Sequence, residues 1–334
     1  MLNFGIVGYG YWGPNIVRNL STIGKARVHS VCDINTEACH KVKMMYPHVN
    51  VTDDFKSLIK SPDIDVISVI TPVSTHYELA KKALEAGKHV FVEKPFTESV
   101  EQAERLIALA NKKKLKIMVD HTFLFTGAVR KIKELLDQNV LGNLYYYDSS
   151  RVSLGLFQHD VNVIWDLAPH DFSIIDYLIK NKPLAVTAHG IDHMKCGQEN
   201  VAYIIVYFEN NFMAHININW LSPVKIRTTC ISGEKKMLVW DDLQADEKIK
   251  IYDRGVETKS KEGIYRLLVD YRAGDMYSPH LEPKEALRSE LEYFVDCIMN
   301  NKTPINDGEA GLRIVKMLQA TDESLRKEGK KIKL

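Results

Sequence analysis

Three side chains in the chain are of types that together suit the oxidation of an alcohol. Lys94 lies in Phe91-Val-Glu-Lys-Pro-Phe96, and Asp166 and His170 lie in Trp165-Asp-Leu-Ala-Pro-His-Asp171. A carbon that loses a hydride needs a base titrating near neutrality beside its hydroxyl, and histidine supplies one. A neighbouring ammonium lowers that base's pKa and orients the hydroxyl, while a carboxylate raises it and holds the ring. Lys94, His170 and Asp166 are sufficient for this without a metal, and no metal is expected. Each has a plainer alternative: a strand-end lysine in solvent, a helix-capping aspartate, a satisfied core or surface histidine.

The hydride needs an acceptor, and the N-terminal residues suit one. Phe4 to Gly13 read FGIVGYGYWG, a short apolar strand entering Gly8-x-Gly10-x-x-Gly13. Gly8 allows a tight turn, Gly10 lets backbone approach a pyrophosphate, and Gly13 permits close helix–strand packing. The following helix, with Ile16, Val17 and Leu20 on its apolar face, then aims its N-terminal N–H groups at the negative charge. A second strand ends in Asp33, twenty positions after Gly13. A carboxylate there accepts both ribose hydroxyls of an adenosine and repels a 2′-phosphate, and Ile34 and Asn35 offer no compensating cation. NAD is therefore favoured over NADP. Tyr11 and Trp12, inside the loop, border the cleft and are candidate cofactor contacts. The alternative is a glycine turn in an ordinary βαβ unit.

These residues need elements to hold them. Through residue 120 strand and helix signals alternate, and continuously apolar strands such as VISVI suit a parallel sheet buried on both faces. A right-handed doubly wound sheet follows. Ligands of such sheets lie outside the carboxyl ends of the strands, which puts Glu93 and Lys94 on the cofactor side. Lys94 precedes Pro95 and is held extended, and a cis bond there is an open option. Asp166 and His170 share a face if helical. Pro169 is tolerated in a first turn, so the spacing predicts a helix from about Leu167 to Lys180 with Asp166 near its N-cap. After residue 120 come a helix, a long strand, that helix, and several extended segments, two of them joined by Asn210-Asn211 as a hairpin. Two helices close the chain, Lys284–Asn300 and Gly308–Lys327, and the basic tail that ends the last one reads as a solvated helix end complementing the macrodipole. The expectation is an α/β dinucleotide domain over 1–120 and an α+β substrate and oligomerisation domain over 121–334, with a large, mostly antiparallel open sheet. The closing helices are free to pack back on the first domain.

Lysine plus arginine number 44 against 43 acidic residues, which gives no reason to expect nucleic acid or an anionic membrane as partner. The five cysteines are scattered without a CxxC, as suits reduced thiols. No apolar run reaches membrane-spanning length, and a strand begins by residue 4, so a cytoplasmic location is expected. His193 and Cys196 have a spacing seen in metal sites, yet no second pair follows, which favours a plain loop.

Taken together, the glycine loop, Asp33, Thr71-Pro72-x-x-Thr75-His76, Glu93-Lys94-Pro95 and Asp166-x-x-x-His170 resemble the Gfo/Idh/MocA oxidoreductases along essentially the whole chain. The resemblance implies a Rossmann half followed by a sheet-rich half that packs face to face into dimers or tetramers. It implies that Lys94 lies in the active site, that His170 is acid/base or substrate ligand beside Asp166, and that Thr71, Pro72, His76 and Glu93 line the dinucleotide. The segment before Asp166 reads Phe157-Gln-His-Asp-Val-Asn-Val-Ile-Trp165 and lacks the glycine-rich run of many members. It resembles a branch associated with nucleotide-linked or amino sugars. Arg151, His159 and Asn162 are then candidates to meet sugar hydroxyls or a phosphate, and His121 to face the cleft. Arg151 as a surface charge and His121 as a structural residue are the alternatives. The expected activity is hydride transfer between NAD and a ring hydroxyl or keto group of a sugar, nucleotide-linked. An inositol or free-sugar dehydrogenase and a non-catalytic NAD sensor are its rivals.

Overall fold

The computed structural model describes residues 1–155, 161–257 and 270–334. They form two compact units, Met1–Phe125 with Lys284–Gln319, and Thr126–Pro283 with Ala320–Leu334.

The first unit alternates strand and helix: β1 (Leu2–Val7), α1 (Gly13–Leu20), β2 (Ala26–Cys32), α2 (Thr36–Met45), β3 (Asn50–Thr52) and α3 (Phe55–Lys60). It continues with β4 (Val66–Val69), α4 (Val73–Glu85), β5 (His89–Glu93), α5 (Val100–Lys113) and β6 (Ile117–Asp120). The sheet order is β3-β2-β1-β4-β5-β6, and every pairing in it is parallel. Each β-strand of the centre is covered on both faces, which is why β4 is buried at all four positions and can be apolar throughout. Helix starts follow local side-chain chemistry. Asn35, Asp54 and Ser99 accept hydrogen bonds from the first free N–H groups of α2, α3 and α5.

The second unit holds α6 (Gly127–Asp137), β7 (Leu144–Leu154), α7 (Val163–Leu178), β8 (Pro183–Ile191), β9 (Val201–Phe208) and β10 (Met213–Asn219). It adds β11 (Leu221–Gly233), β12 (Met237–Asp241), β13 (Ile249–Glu257) and β14 (Asp270–Tyr277). Two helices follow, α8 (Ala286–Met299), which belongs to the first unit, and α9 (Gly308–Arg326), which belongs to it through Gln319, and then β15 (Ile332–Lys333). The nine strands run β14-β13-β12-β11-β7-β10-β9-β8-β15, antiparallel except for β7 beside β10. Asn210 and Asn211 both take left-handed φ, +58° and +57°, as a two-residue hairpin turn between β9 and β10 requires. One face of this sheet, with Tyr147, Ile204, Ile216 and Ile218 fully buried, is covered by α7, which packs on β9 and β10.

Two expectations are corrected. The Asn162 side chain caps α7, so the helix starts at Val163 rather than Leu167, and Pro169 lies inside it, in its second turn. Pro169 therefore leaves the Trp165 carbonyl without its helical N–H donor, a cost that the buried apolar face of α7 offsets. The basic C-terminus is not a solvated helix end: Ile332 and Lys333 pair with Val186 and Ala185 as an edge strand on β8. Among the described residues no helix is long and apolar enough to cross a membrane.

Candidate active site

The dinucleotide cradle is built by close backbone approach. Gly8 has φ +96°, and a Cβ there would stand 2.1 Å from the Ile70 carbonyl oxygen at the end of β4. A Cβ on Gly13 would lie 2.7 Å from the Gly8 oxygen, so neither position tolerates a side chain. Gly10, by contrast, is exposed, with open space where a Cβ would point. The N-terminus of α1 has no side-chain cap and carries proline in its first turn, which leaves its peptide dipoles available to an anion. Tyr11 and Trp12 are exposed beside it, their rings edge to face at 5.5 Å. Asp33 directly follows the adjacent strand β2: its Oδ2 accepts from the Tyr9 N–H at 2.5 Å and its Oδ1 from the Asn35 N–H at 2.7 Å. The carboxylate is thereby held in a fixed orientation beside the glycine loop, with lone pairs left for hydroxyl donors. Ile34 next to it is 91% exposed and uncharged. A Cβ-free cradle, an uncapped helix start and an oriented aspartate fit a dinucleotide whose ribose carries no 2′-phosphate.

Farther along the same strand ends, Pro72 caps α4 and Thr71 Oγ1 lies 2.6 Å from Thr75 Oγ1. His76 is fully buried, with Nε2 2.8 Å from the Thr71 carbonyl oxygen and Nδ1 2.9 Å from that of Pro95. It has no surface to give a ligand. Instead it ties the turn after β4 to the turn after β5, and burial lowers its pKa. Glu93 is the buried last residue of β5, and half-buried Lys94 follows it, joined to Pro95 by a cis bond. His121, just past β6, is 1% exposed, and neither ring nitrogen has a hydrogen-bond partner among the described residues. Burial, reinforced by the Lys94 charge, pushes its pKa down to about 3. It is a permanently neutral imidazole at working pH, with one donor and one acceptor nitrogen.

The second unit places two further candidate residues on α7. Asp166 and His170 are one turn apart on one face, both half-buried. Asp166 does not cap the helix; its Oδ2 accepts from Trp220 Nε1 at 3.1 Å, and Trp220 is 2% exposed. The start of α7 is pinned twice, by Asn162 Nδ2 donating to Glu199 at 2.9 Å and by Trp165 Nε1 donating to Asp322 at 2.6 Å. Asn162 therefore serves as cap and strut, with both ends of its amide engaged inside the protein.

Arg151 is placed in the interior, 6% exposed, its Nε donating to Asp171 Oδ2 at 2.8 Å while Ser149 Oγ donates to Oδ1 at 2.9 Å. The burial follows from strand alternation, because Tyr147, Ser149 and Arg151 all point to the helix-covered face of β7. Its charge is answered by Asp171, which removes the ground for assigning it to a substrate phosphate. His159 lies outside the described residues. Cys196 and His193 sit in a loop organised by Asp192, which accepts from Gly197 N at 2.7 Å. Sequence reasoning missed Trp220, Asp171 and a buried pair of acids, Asp120 and Glu290, since partners so distant in the chain leave no local pattern.

With this geometry in view, comparison with known proteins is informative. Residues 2–121 match the oxidoreductase family NAD-binding Rossmann fold of Gfo/Idh/MocA, and residues 129–239 match the Gfo/Idh/MocA C-terminal domain. The chain belongs to the Gfo/Idh/MocA oxidoreductase family. The UDP-N-acetylglucosamine 3-dehydrogenase of Acidithiobacillus ferrooxidans is 25% identical over 93% of each chain. The scyllo-inositol 2-dehydrogenase (NAD(+)) of Bacillus subtilis is 24% identical, covering 96% of this chain and 92% of the relative. A solved structure of the A. ferrooxidans enzyme superposes with a TM-score of 0.81 over 98% of both chains at 25% identity. This Gfo/Idh/MocA member is thus an NAD-binding oxidoreductase with a parallel Rossmann sheet and a mostly antiparallel second sheet.

Proposed function

We propose that this oxidoreductase interconverts a ring hydroxyl and a ketone on a sugar, with a nucleotide-linked sugar as first candidate. The observation that carries the reading is Asp166 held by Trp220 one helical turn before His170. An oriented carboxylate on the same helix face is what a histidine base of near-neutral strength requires. Bound NAD supplies the hydride acceptor. Gly8, Gly10, Gly13 and the start of α1 take its pyrophosphate, and Asp33 takes its adenosine ribose; Tyr11, Trp12, Thr71, Pro72 and Glu93 are further contacts. His170 takes the proton from the substrate hydroxyl, Asp166 supports the resulting imidazolium, and the Lys94 ammonium orients the substrate oxygen and favours its alkoxide character.

The relative acting on UDP-N-acetylglucosamine supports the nucleotide-sugar reading. The neutralised, buried Arg151 favours a second one, an inositol or free sugar, as in the name of the B. subtilis relative. Nicotinamide absorbance with UDP- and dTDP-sugars, free hexoses and inositols, each with NAD and NADP, separates them. Turnover of a nucleotide sugar and not its parent sugar supports the first, and turnover of inositol or free sugars alone supports the second. Lys94→Ala and His170→Ala are expected to bind NAD and lose turnover; unchanged turnover in both refutes the assigned roles.

We also propose a homo-oligomer through the outer face of the nine-stranded sheet. Tyr146, Met213 and Tyr207 stand side by side there across three strands, with Tyr146 39% and Met213 41% exposed. Sedimentation of the purified chain tests this, and a monomer refutes it.

A further inference from the structure

Behind the turn that carries Lys94, the first unit buries two carboxyl groups against one another. Asp120 is the last residue of β6 and is 5% exposed; Glu290, in the middle of α8, is fully buried. Helix α8 is fastened over the sheet by aromatic packing, Phe294 on Phe91 at 5.9 Å between ring centres and Tyr293 on Phe125 at 5.4 Å. Around the acids, Thr122 Oγ1 donates to Asp120 Oδ1. Asn306 Nδ2 donates to Glu290 Oε1 at 2.8 Å and to the Val119 carbonyl at 2.6 Å. Among the described residues no donor reaches Glu290 Oε2, and the Asp120 carboxyl is the acidic group that faces it. Two carboxylates cannot bond without a proton between them.

The neighbours decide where that proton resides. On Glu290, Oε1 already accepts from Asn306 as a carbonyl oxygen would, which leaves Oε2 as the hydroxyl. Burial raises Glu290 well above the usual carboxylate range, the charges of Asp120 and Glu93 add to it, and the nearby Thr122 hydroxyl offsets only part of the rise. Asp120 is also raised by burial, but besides the Thr122 hydroxyl it has the Thr122 N–H and the Lys94 ammonium acting the other way, which favours its ionised form. His121, beside them, is neutral and adds no charge. The charged and titratable groups around the pair are therefore Glu93 and Lys94 from the end of β5, and His121 beyond β6.

We propose that Asp120 and Glu290 form a proton-sharing dyad, Glu290 Oε2–H donating to Asp120, which holds a single negative charge behind Lys94. Asp120 and Glu290 are positioning residues: they set the electrostatic environment and placement of Lys94 and do not touch substrate. The proposal rests on the active-site role given to Lys94 above.

Two readouts test it. The infrared spectrum of the whole protein near neutral pH, wild type minus Glu290→Gln, should show a protonated-carboxyl C=O band that the variant lacks. Absence of that band overturns the dyad, whether or not a substrate has been found. In turnover, Glu290→Gln keeps an N–H donor toward Asp120 and should retain the shape of the wild-type pH profile. Asp120→Asn removes the negative charge behind Lys94; the alkaline limb of its kcat profile should move to lower pH, with kcat falling more than KM changes. An unmoved limb in a folded Asp120→Asn protein overturns the electrostatic role. If Asp120→Asn does not fold, the infrared comparison and the Glu290→Gln profile still decide, a displaced profile counting against the proposal. Failure of every substrate in the panel counts against the proposed function and leaves the infrared result to judge the dyad.

Discussion

His121 makes the structure testable through stability alone. Its ring is buried without a hydrogen-bond partner among the described residues, and its pKa is pushed from the ordinary 6.5 to about 3. Between these values the unfolded chain binds a proton that the native state refuses, so stability falls as pH falls. From neutrality to about pH 4 the window below 6.5 spans about 2.5 pH units, each worth about 1.4 kcal/mol, so this one residue costs the fold about 3 kcal/mol. Replacement by glutamine keeps a donor and an acceptor but removes the titration. Denaturant unfolding of wild type and His121→Gln, followed by circular dichroism at about pH 7 and about pH 4, isolates the term, since groups common to both proteins cancel in the difference. The expected result is that wild type loses about 3 kcal/mol more than the variant on acidification. Equal losses would refute the burial argument, as would an NMR titration in which the ring signal missing from the variant moves near pH 6.5 in wild type.

Three further outcomes follow from named contacts. Asp33→Ser removes a carboxylate oriented by the Tyr9 and Asn35 N–H groups. Loss of one charge-assisted bond to ribose, about 1.5–3 kcal/mol, should weaken NAD binding about ten- to a hundredfold by calorimetry and narrow the preference over NADP. Unchanged affinity would remove Asp33 from the site. Arg151→Met leaves Asp171 buried without its guanidinium and should destabilise the fold by about 3–5 kcal/mol, with Asp171→Leu in addition restoring much of it; a stable Arg151→Met protein with a raised KM for a nucleotide sugar would return Arg151 to the substrate. Trp220→Phe deletes the indole donor to Asp166 and should lower kcat about tenfold, the equivalent of about 1.4 kcal/mol, while NAD affinity stays the same.

The parts legible in the sequence are those governed by short-range backbone rules. Gly8 could be placed in a tight turn because its φ of +96° and its approach to Ile70 exclude a side chain. Asp33 could be placed by counting from the glycine loop, and the Asn210-Asn211 hairpin by the left-handed φ its turn demands. The start of α7 was misplaced because two local signals compete there. Pro169 argues for a late start, while the Asn162 cap, pinned by distant Glu199, wins and draws the helix back to Val163.

Arg151 and His76 show why candidate ligands are the harder part. Both are polar, both lie beside segments that bear function, and neither reveals its burial in isolation. For Arg151, burial is set by the register of β7 within the nine-stranded sheet: it falls on the same face as Tyr147, opposite Asp171 of α7. For His76, it is set by two carbonyl oxygens, from Thr71 and Pro95, that meet only once β4 and β5 lie side by side. A buried polar group must be satisfied by something, and its partner is usually chosen by tertiary pairing. The same reasoning ranks the remaining candidates. His170 and Asp166 keep half-buried positions on α7, and Lys94 a half-buried one past β5, so burial does not remove any of them from the candidates. Interior partners already engage Arg151 through its Nε and His76 through both ring nitrogens, which leaves these two less to offer a ligand.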